Sequence, residues 1–177
     1  MTNRVLLWTV FVLVHAGVGL LGFVLPNEPM GDVYRVYEPW SRAVFSGGGV
    51  VGVTQDWVYP QLALLPMLLA HLPAGLVGDY TVGWAVLVTL VDAVAFAVLI
   101  GRGHSRGRVV AAVFWLAAIV CLGPVGLYRI DAVSVPLAIL GCLWLLRRPA
   151  LAAALLAAAT WIKVWPAALL AAAVVAV

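Results

Sequence analysis

The sequence predicts an all-α protein, a polytopic bundle of transmembrane helices, and three observations carry this prediction. Hydrophobic residues make up 66% of the 177 residues and charged residues only 10%, whereas soluble globular domains have about 25% charged residues. The mean hydropathy is +1.14. Apolar runs of about 20 residues, the length that crosses a bilayer, recur along the chain. We therefore expect a cell-membrane protein with one transmembrane domain over residues 1–177, surrounded by membrane lipids.

The positions of the basic residues predict how the chain enters the membrane. Arg4 precedes the first apolar run, residues 5–25, and places the N-terminus in the cytoplasm. This run is longer than the core of a secretory signal and no small-residue cleavage pattern follows it, which favours an uncleaved helix. The net charge of +3 is then a matter of loop topology, and we expect no nucleic-acid partner.

The next segment is the only long one that is not overwhelmingly apolar. Residues 26–60 contain four of the seven carboxylates of the chain, and we expect them outside the cytoplasm. Residues 59–77 are apolar but are interrupted by Pro60, Pro66 and Pro73, and an interior proline breaks a helical hydrogen bond. The sequence predicts that residues 26–80 form a long first extracytoplasmic loop with juxtamembrane or interfacial helices.

The arginine clusters decide whether residues 59–77 cross the membrane. If they do not, six of the ten basic residues lie on the cytoplasmic side with no acid among them, as the positive-inside rule requires. These six are Arg4, Arg102, Arg106, Arg108, Arg147 and Arg148. We therefore predict an interfacial or re-entrant segment on the outer side.

The remaining helices follow from that choice. They are expected over residues 81–101, 109–126 and 132–146 and from Ala150 onward, with a break at Lys163 and Pro166 near the outer surface. Alanine-rich sequence after Ala150 favours close helix packing. The final run ends in AAAVVAV without a polar flank, which predicts the N-terminal part of a longer protein.

Asp32 is the candidate base of the outer loop. A solvated acid or a helix N-cap is the ordinary role of an aspartate here, whereas a carboxylate at the rim of an apolar pocket can deprotonate an acceptor hydroxyl. Arg35 and Arg42 lie seven residues apart, which would put them on one helical face. They either offset the neighbouring acids or hold a phosphate.

Four further charged residues lie close to or within the apolar runs. Lys163 in an alanine-rich helix is costly and therefore points to function, unless its side chain reaches the interface. Asp92 is expected to stay protonated, to pair with a polar partner or to help packing. Arg129 and Asp131 are near enough in sequence to pair with each other. His15 and His71 have no second ligand at metal spacing and are interpreted as packing residues.

The order of these segments resembles a known family. GDVYRVYEPWSRAVFSGG, WVYPQLALLP, the helix with Trp84 and Asp92, RIDAVSVPLAIL and LAAATWIKVWPAALL together look like the front part of a GT-C membrane glycosyltransferase. They are most similar to glycosyltransferase family 87, which includes polyprenyl-phosphate-mannose-dependent mannosyltransferases. The resemblance covers essentially the whole chain, and its motifs are short.

The resemblance implies roles for individual residues. Asp32 matches the catalytic base that prepares the acceptor hydroxyl for inverting attack, and Lys163 matches a lysine that suits the phosphate of the lipid carrier. Arg129 and Asp131 fall where the second outer loop borders the site. Tyr59 and Pro60 match a Tyr-Pro-Pro motif, although Gln61 replaces its second proline. Arg35 is a further candidate for phosphate binding.

The resemblance also implies the partners and the reaction. The donor would be a polyprenyl-phosphate sugar, and mannose is the expected sugar. The acceptor would be an envelope glycolipid or glycan, and the active site would lie outside the cytoplasm. A lipid phosphate is a good leaving group once its charge is paired, so we expect neither a metal nor a cofactor. Two alternatives stay open: a flippase or transporter of lipid-linked sugars, and a non-catalytic membrane subunit.

Overall fold

The computed structural model describes residues 3–175, and its regular elements are helices. Within this range no β-strand occurs, and one isolated bridge joins Val51 to Gln55. The predicted all-helical class is confirmed.

Two helices are long and apolar enough to cross a membrane. They are α1 (Asn3–Val24) and α5 (Tyr80–Ile100), and each holds a 21-residue span, with mean hydropathy 2.1 and 2.3. At about 1.5 Å per residue, such a span reaches about 32 Å, which matches the hydrocarbon core. Asp79 begins α5 by accepting the backbone N–H of Val82 at 2.8 Å, an N-cap that satisfies a first-turn donor.

The loop predicted over residues 26–80 contains short helices. A π-helical turn (Val33–Tyr37) leads directly into α2 (Glu38–Phe45), and a 3₁₀ turn (Gln61–Ala63) leads into α3 (Leu64–Leu69) and α4 (His71–Val77).

The prolines of this loop divide its second half into short helices. Pro66 is the third residue of α3 and Pro73 the third residue of α4. In the first turn of a helix the missing N–H is not needed for an intrahelical bond. Each proline therefore lies in the first turn of a helix and does not interrupt one. The boundary between the two helices falls at Ala70.

The helices in the second half of the chain are shorter than α1 and α5. They are α6 (Arg106–Leu122), α7 (Val125–Tyr128), α8 (Asp131–Trp144), α9 (Pro149–Ile162) and α10 (Ala167–Val175). At about 1.5 Å per residue, the 17 residues of α6 rise about 26 Å, and the 14 residues of α8 and of α9 about 21 Å. Each falls short of the bilayer core of about 30 Å.

Three of the predicted boundaries are corrected and one break is confirmed. The helix expected to begin at residue 109 begins at Arg106. The helix expected to run to residue 126 ends at Leu122, because Gly123 takes a positive φ of 60° and Pro124 follows it. The helix expected over residues 132–146 ends at Trp144. The predicted break at Lys163 is present: α9 ends at Ile162 and Lys163 has an extended backbone.

Helix α5 lies at the centre of the packing. It contacts α1, α4, α6 and α8, and α8 packs closely on α9. Trp84 of α5 is fully buried and donates its indole N–H to the carbonyl oxygen of Leu127 at 3.0 Å. A Cβ added to Gly141 of α8 would lie 2.8 Å from Leu156, so small residues let α8 and α9 approach closely, as the alanine-rich sequence predicts.

The arginine clusters meet at one end of the fold. Gly103, in the loop between α5 and α6, lies against Arg4, since a Cβ built on it would be 3.2 Å from the Cβ of Arg4. Arg108, Arg147 and Arg148 line a single cavity. The opposite end of α5 carries the segment of residues 26–79 and the candidate site.

Candidate functional site

Three separate connections bring charged side chains together at this opposite end. Asp32 follows α1, Arg129 and Asp131 flank the start of α8, and Lys163 follows α9. These side chains form two ion pairs that link the three connections.

The first ion pair joins Asp32 to Arg129. Arg129 donates from Nη1 to Asp32 Oδ2, across 97 residues of sequence. The side chain of Asp32 is 26% exposed and that of Arg129 is 48% exposed, so the pair lies at the protein surface. Within residues 3–175, Asp32 Oδ1 has no hydrogen-bond partner, which leaves one carboxylate oxygen available to accept a proton.

Two of the simpler interpretations of these residues are therefore wrong. Asp32 is not a side-chain N-cap, since it makes no capping hydrogen bond and has helical backbone angles. Arg129 and Asp131 do not pair with each other. Arg129 has an extended backbone, whereas Asp131 is the first residue of α8, and each finds a different partner.

The second ion pair joins Lys163 to Asp131. The Nζ of Lys163 lies 3.5 Å from Asp131 Oδ2 and 5.0 Å from the centre of the Tyr59 ring. An ammonium group over an aromatic face is attracted by the ring quadrupole. The structure thus brings four of the predicted site residues into contact in two pairs and connects Tyr59 to them.

Tyr37 supports the segment between the two charged residues of the second loop. Its ring is fully buried against Trp84, with 4.7 Å between ring centres, and its hydroxyl accepts the backbone N–H of Ile130 at 3.0 Å. Burial, and then the neighbouring Tyr59 hydroxyl and Asp32 carboxylate, raise the pKa of Tyr37 well above its usual range. Tyr37 therefore stays protonated, and Ile130 holds Arg129 and Asp131 on either side of it.

Arg35 lies outside this cluster. It pairs with Glu28, and its guanidinium lies 5.5 Å from the Tyr34 ring centre. Arg42 pairs with Glu38, which lies one helical turn before it. Of the two interpretations of these arginines, the structure supports the one in which they offset the neighbouring acids.

An apolar cavity of about 280 Å³ opens beside the charged cluster. Arg129 and Asp131 contribute to its wall, and so do Asp92 and Trp115. The rest of its wall comes mainly from aliphatic residues of α5, α6, α7 and α8. Such a cavity, apolar with a few polar groups, has the character of a ligand site.

A buried polar cluster lies in the middle of the helices, where we expected His15 to be a packing residue. His15 Nε2 lies 3.0 Å from Asp92 Oδ2, and the indole N–H of Trp115 contacts both carboxylate oxygens at 2.9 and 3.0 Å. His15 and Asp92 are almost fully buried. Asp92 therefore has polar partners, one of the three expectations, and the packing interpretation of His15 is incomplete.

His71 is also more than a packing residue. Its Nε2 lies 2.8 Å from the hydroxyl of Ser41, and its ring contacts those of Phe45 and Tyr80. Sequence reasoning missed Tyr37 and the partners of both histidines. Only the presence of Tyr37 inside the charged stretch VYRVYEPW was a usable signal.

Comparisons with known proteins add nothing to the resemblance to GT-C glycosyltransferases, which therefore rests on the sequence motifs alone. No family model, curated protein or solved structure matches the chain. Among residues 3–175 there is also no group of three or more His, Cys, Asp or Glu side chains placed to share a metal ion.

Proposed function

We propose that this chain is part of a polytopic membrane glycosyltransferase of GT-C type, which moves a sugar from a polyprenyl-phosphate carrier to an envelope glycolipid or glycan. One observation carries the proposal. Asp32, Arg129, Asp131 and Lys163 come from three connections and form two ion pairs. One member of each pair, Arg129 or Asp131, lines an apolar cavity. An amphiphile with an anionic head and a hydrocarbon tail fits such a combination of charges and apolar walls.

The placement in the membrane is part of the proposal. Two helices have the length and hydropathy of spans, and the arginines of residues 102–108 and 147–148 face away from the candidate site. An excess of arginine marks the cytoplasmic side. The candidate site then lies outside the cytoplasm, in a multi-pass protein with a cytoplasmic N-terminus.

The proposed reaction uses Asp32 as the general base. The carboxylate takes the proton of the acceptor hydroxyl, whose oxygen attacks the anomeric carbon from the side opposite the phosphate. The bond between that carbon and the phosphate oxygen breaks, and its electron pair stays on the phosphate. The configuration of the sugar is inverted. Arg129 and Lys163 stabilise the negative charge of the leaving phosphate.

The Asp32–Arg129 ion pair supports a definite order of events. A donor phosphate at Arg129 competes with Asp32 for the guanidinium, because both are anions that bind its N–H groups. Binding of the donor therefore frees Asp32 Oδ2, and the base becomes fully available only when the donor is present.

A second cavity supports the acceptor half of the proposal. It measures about 660 Å³ and lies beside Tyr59, with Trp57 and Trp161 in its wall. Asp56 and Gln61 also line it, and the buried indole N–H of Trp57 has no partner within the described residues. Aromatic faces combined with a few hydrogen-bonding groups suit a sugar ring, and Tyr59 joins this cavity to Lys163.

The test is glycosyl transfer by the full chain in liposomes that contain a polyprenyl-phosphate sugar and a membrane glycolipid. We expect Asp32→Asn to abolish transfer while the protein still binds the carrier. A half-exposed ion pair contributes only about 0–1 kcal/mol to stability, so loss of folding does not explain that result. Glu38→Gln is the matched control, because it also breaks an exposed ion pair of the same loop but should leave transfer intact.

Two outcomes would contradict the proposal. Unchanged transfer by Asp32→Asn would remove this residue as the base. Movement of the lipid-linked sugar between leaflets by the unmodified protein, with no acceptor present and no transfer when one is added, would identify a transporter instead.

A further inference from the structure

The basic end of the fold, opposite the candidate site, contains a cavity that none of the proposed chemistry uses. It measures about 500 Å³ and lies where α5 and α8 end and α6 and α9 begin. Its wall consists of Val98, Leu143, Trp144, Arg108, Arg147 and Arg148.

Among the residues that the structure describes, no carboxylate neutralises the three arginines of this cavity. The ion pairs within residues 3–175 involve none of them. The sequence also has no Asp or Glu from residue 93 to residue 130 or after residue 131. Arg108 uses one N–H to bind the carbonyl oxygen of Val98 at 3.1 Å, and a guanidinium has five N–H donors. The cavity therefore offers several free donors and a concentrated positive charge.

Two helix N-termini add to this positive character. Helices α6 and α9 both begin at this end, and neither N-cap side chain, Ser105 or Arg148, accepts a first-turn N–H. In contrast, Asp79 caps α5 at the other end. The N-terminus of a helix carries a partial positive charge and unpaired N–H groups, and both favour an anion.

The surroundings of the arginines are those of a membrane interface. Leu146, next to the arginine pair, is 94% exposed, and Trp144 is half-buried in the cavity wall. Tryptophan is enriched at the level of the lipid headgroups, and an exposed leucine suits contact with the acyl chains. A ligand that combines an anionic group with hydrocarbon would match both the arginines and these apolar neighbours.

We propose that this cavity binds the phosphate headgroup of an anionic phospholipid of the cytoplasmic leaflet, with Arg108, Arg147 and Arg148 as its donors. Basic pockets between transmembrane helices on the cytoplasmic side bind anionic headgroups in this way. The site requires that the chain lie in a membrane, but it does not depend on glycosyl transfer at the opposite end. Failure to bind the lipid would leave the proposed glycosyl transfer untouched, and a failure of transfer would leave this site untouched.

The experiment measures lipid binding by native mass spectrometry of the full chain in detergent. Phosphatidylglycerol and phosphatidylcholine with identical acyl chains are compared. We expect the phosphatidylglycerol adduct to be favoured, and the double variant R147Q/R148Q to weaken it at least about tenfold, since a charged group loses its paired donors. The single variant Arg108→Gln should weaken it in the same direction.

The matched control is R102Q/R106Q. It removes the same charge from the same end of the protein, but these two arginines do not line the cavity, so binding should be retained. Melting temperatures of all variants establish that they are folded. If R147Q/R148Q does not fold, Arg108→Gln decides the question.

Three results would overturn the proposal. Equal weakening by R102Q/R106Q would mean that only the overall charge of this end attracts lipid. Equal binding of the two phospholipids would mean that the headgroup is not recognised. Displacement of the lipid by soluble glycerol phosphate at similar concentration would mean that the cavity takes a free anion and not a lipid.

Discussion

His15 on α1 and Asp92 on α5 share a hydrogen bond in the buried interior, with 3.0 Å between His15 Nε2 and Asp92 Oδ2. His15 Nδ1 lies 2.9 Å from the carbonyl oxygen of Phe11, which only accepts, so Nδ1 carries a proton. The contact to Asp92 also needs a proton, whether it belongs to the imidazole or to the carboxyl group. The pair is therefore neutral as a whole and joins the two long apolar helices.

We expect substitutions of His15 and Asp92 to have strongly non-additive effects on the free energy of unfolding. Among the described residues, His15→Leu leaves Trp115 as the remaining partner of the carboxyl group. Asp92→Ala leaves the buried His15 Nε2 and the partly buried indole N–H of Trp115 without this partner. Breaking a buried pair from one side costs about 3–5 kcal/mol, and the double variant should cost clearly less than the sum of the two. The measurement is the free energy of unfolding in mixed detergent micelles.

Thr9→Val serves as the control for this cycle. In the described part of the chain its hydroxyl bonds only to Val5 of α1, so the change should have little effect on the free energy of unfolding. Additive effects of His15→Leu and Asp92→Ala, within about 0.5 kcal/mol, would show that the two side chains do not depend on each other.

Tyr37→Phe should destabilise the loop that carries Arg129 and Asp131. The change removes the acceptor of the buried Ile130 N–H, and an unsatisfied buried donor costs about 1–3 kcal/mol. We expect a lower melting temperature together with faster backbone hydrogen exchange at residues 129–131. Tyr34→Phe is the control, because this tyrosine is half-buried and the Ile130 N–H bonds to the hydroxyl of Tyr37 instead. Unchanged exchange at residues 129–131 in Tyr37→Phe would contradict the supporting role of Tyr37.

The sequence was informative where the determinant is local or compositional. Apolar composition predicted the helical class, and the isolated lysine with Pro166 predicted the break after α9. Long-range partners were not predictable. His15 and Asp92 are 77 residues apart, and no spacing within either helix indicates the other.

Arg129 shows why pairing in the site could not be deduced. Asp131 is two residues away and Asp32 is 97 residues away, so proximity in sequence favoured the wrong partner. The start of α8 at Asp131 changes the backbone direction between the two residues, and the packing of the first loop on α5 brings Asp32 to Arg129. Tertiary packing, which the local sequence does not encode, sets this pair.

His71 should make stability depend on pH. Burial, followed by the positive charge of Arg42, lowers the pKa of His71 below its usual value of about 6.5, and Glu38 offsets part of this effect. The unfolded chain then binds the proton more tightly than the folded protein. The contribution of His71 to stability is therefore complete above about pH 6.5 and is lost as the pH falls through the folded-state pKa.

The measurement for His71 is the melting temperature between about pH 8 and about pH 5. We expect the unmodified protein to lose more stability on acidification than His71→Gln, whose side chain cannot titrate but can still bond to Ser41. The difference between the two curves isolates His71 from the other groups that titrate in this range. Parallel curves would show that protonation of His71 does not affect folding.

Gly83 of α5 should tolerate no side chain, because α4 crosses the helix at this point. A Cβ there would lie 2.6 Å from the backbone nitrogen of Ala74 and 2.8 Å from the carbonyl oxygen of Ala70. Because these are backbone atoms, α4 itself would have to move. Overpacking of this kind costs about 1–3 kcal/mol. We expect Gly83→Ala to lower the melting temperature and to increase proteolysis within residues 61–77.

Gly75→Ala is the matched control for Gly83→Ala, since a Cβ at that helical position meets nothing within 4 Å. It should be neutral or stabilise the protein by about 0.4–1 kcal/mol, because alanine has less freedom to lose in the unfolded chain. Equal effects of the two substitutions would show that general glycine replacement, and not the crossing of α4 over α5, governs the result. A selective effect of Gly83→Ala would establish that the proline-divided segment is held against the first turns of α5.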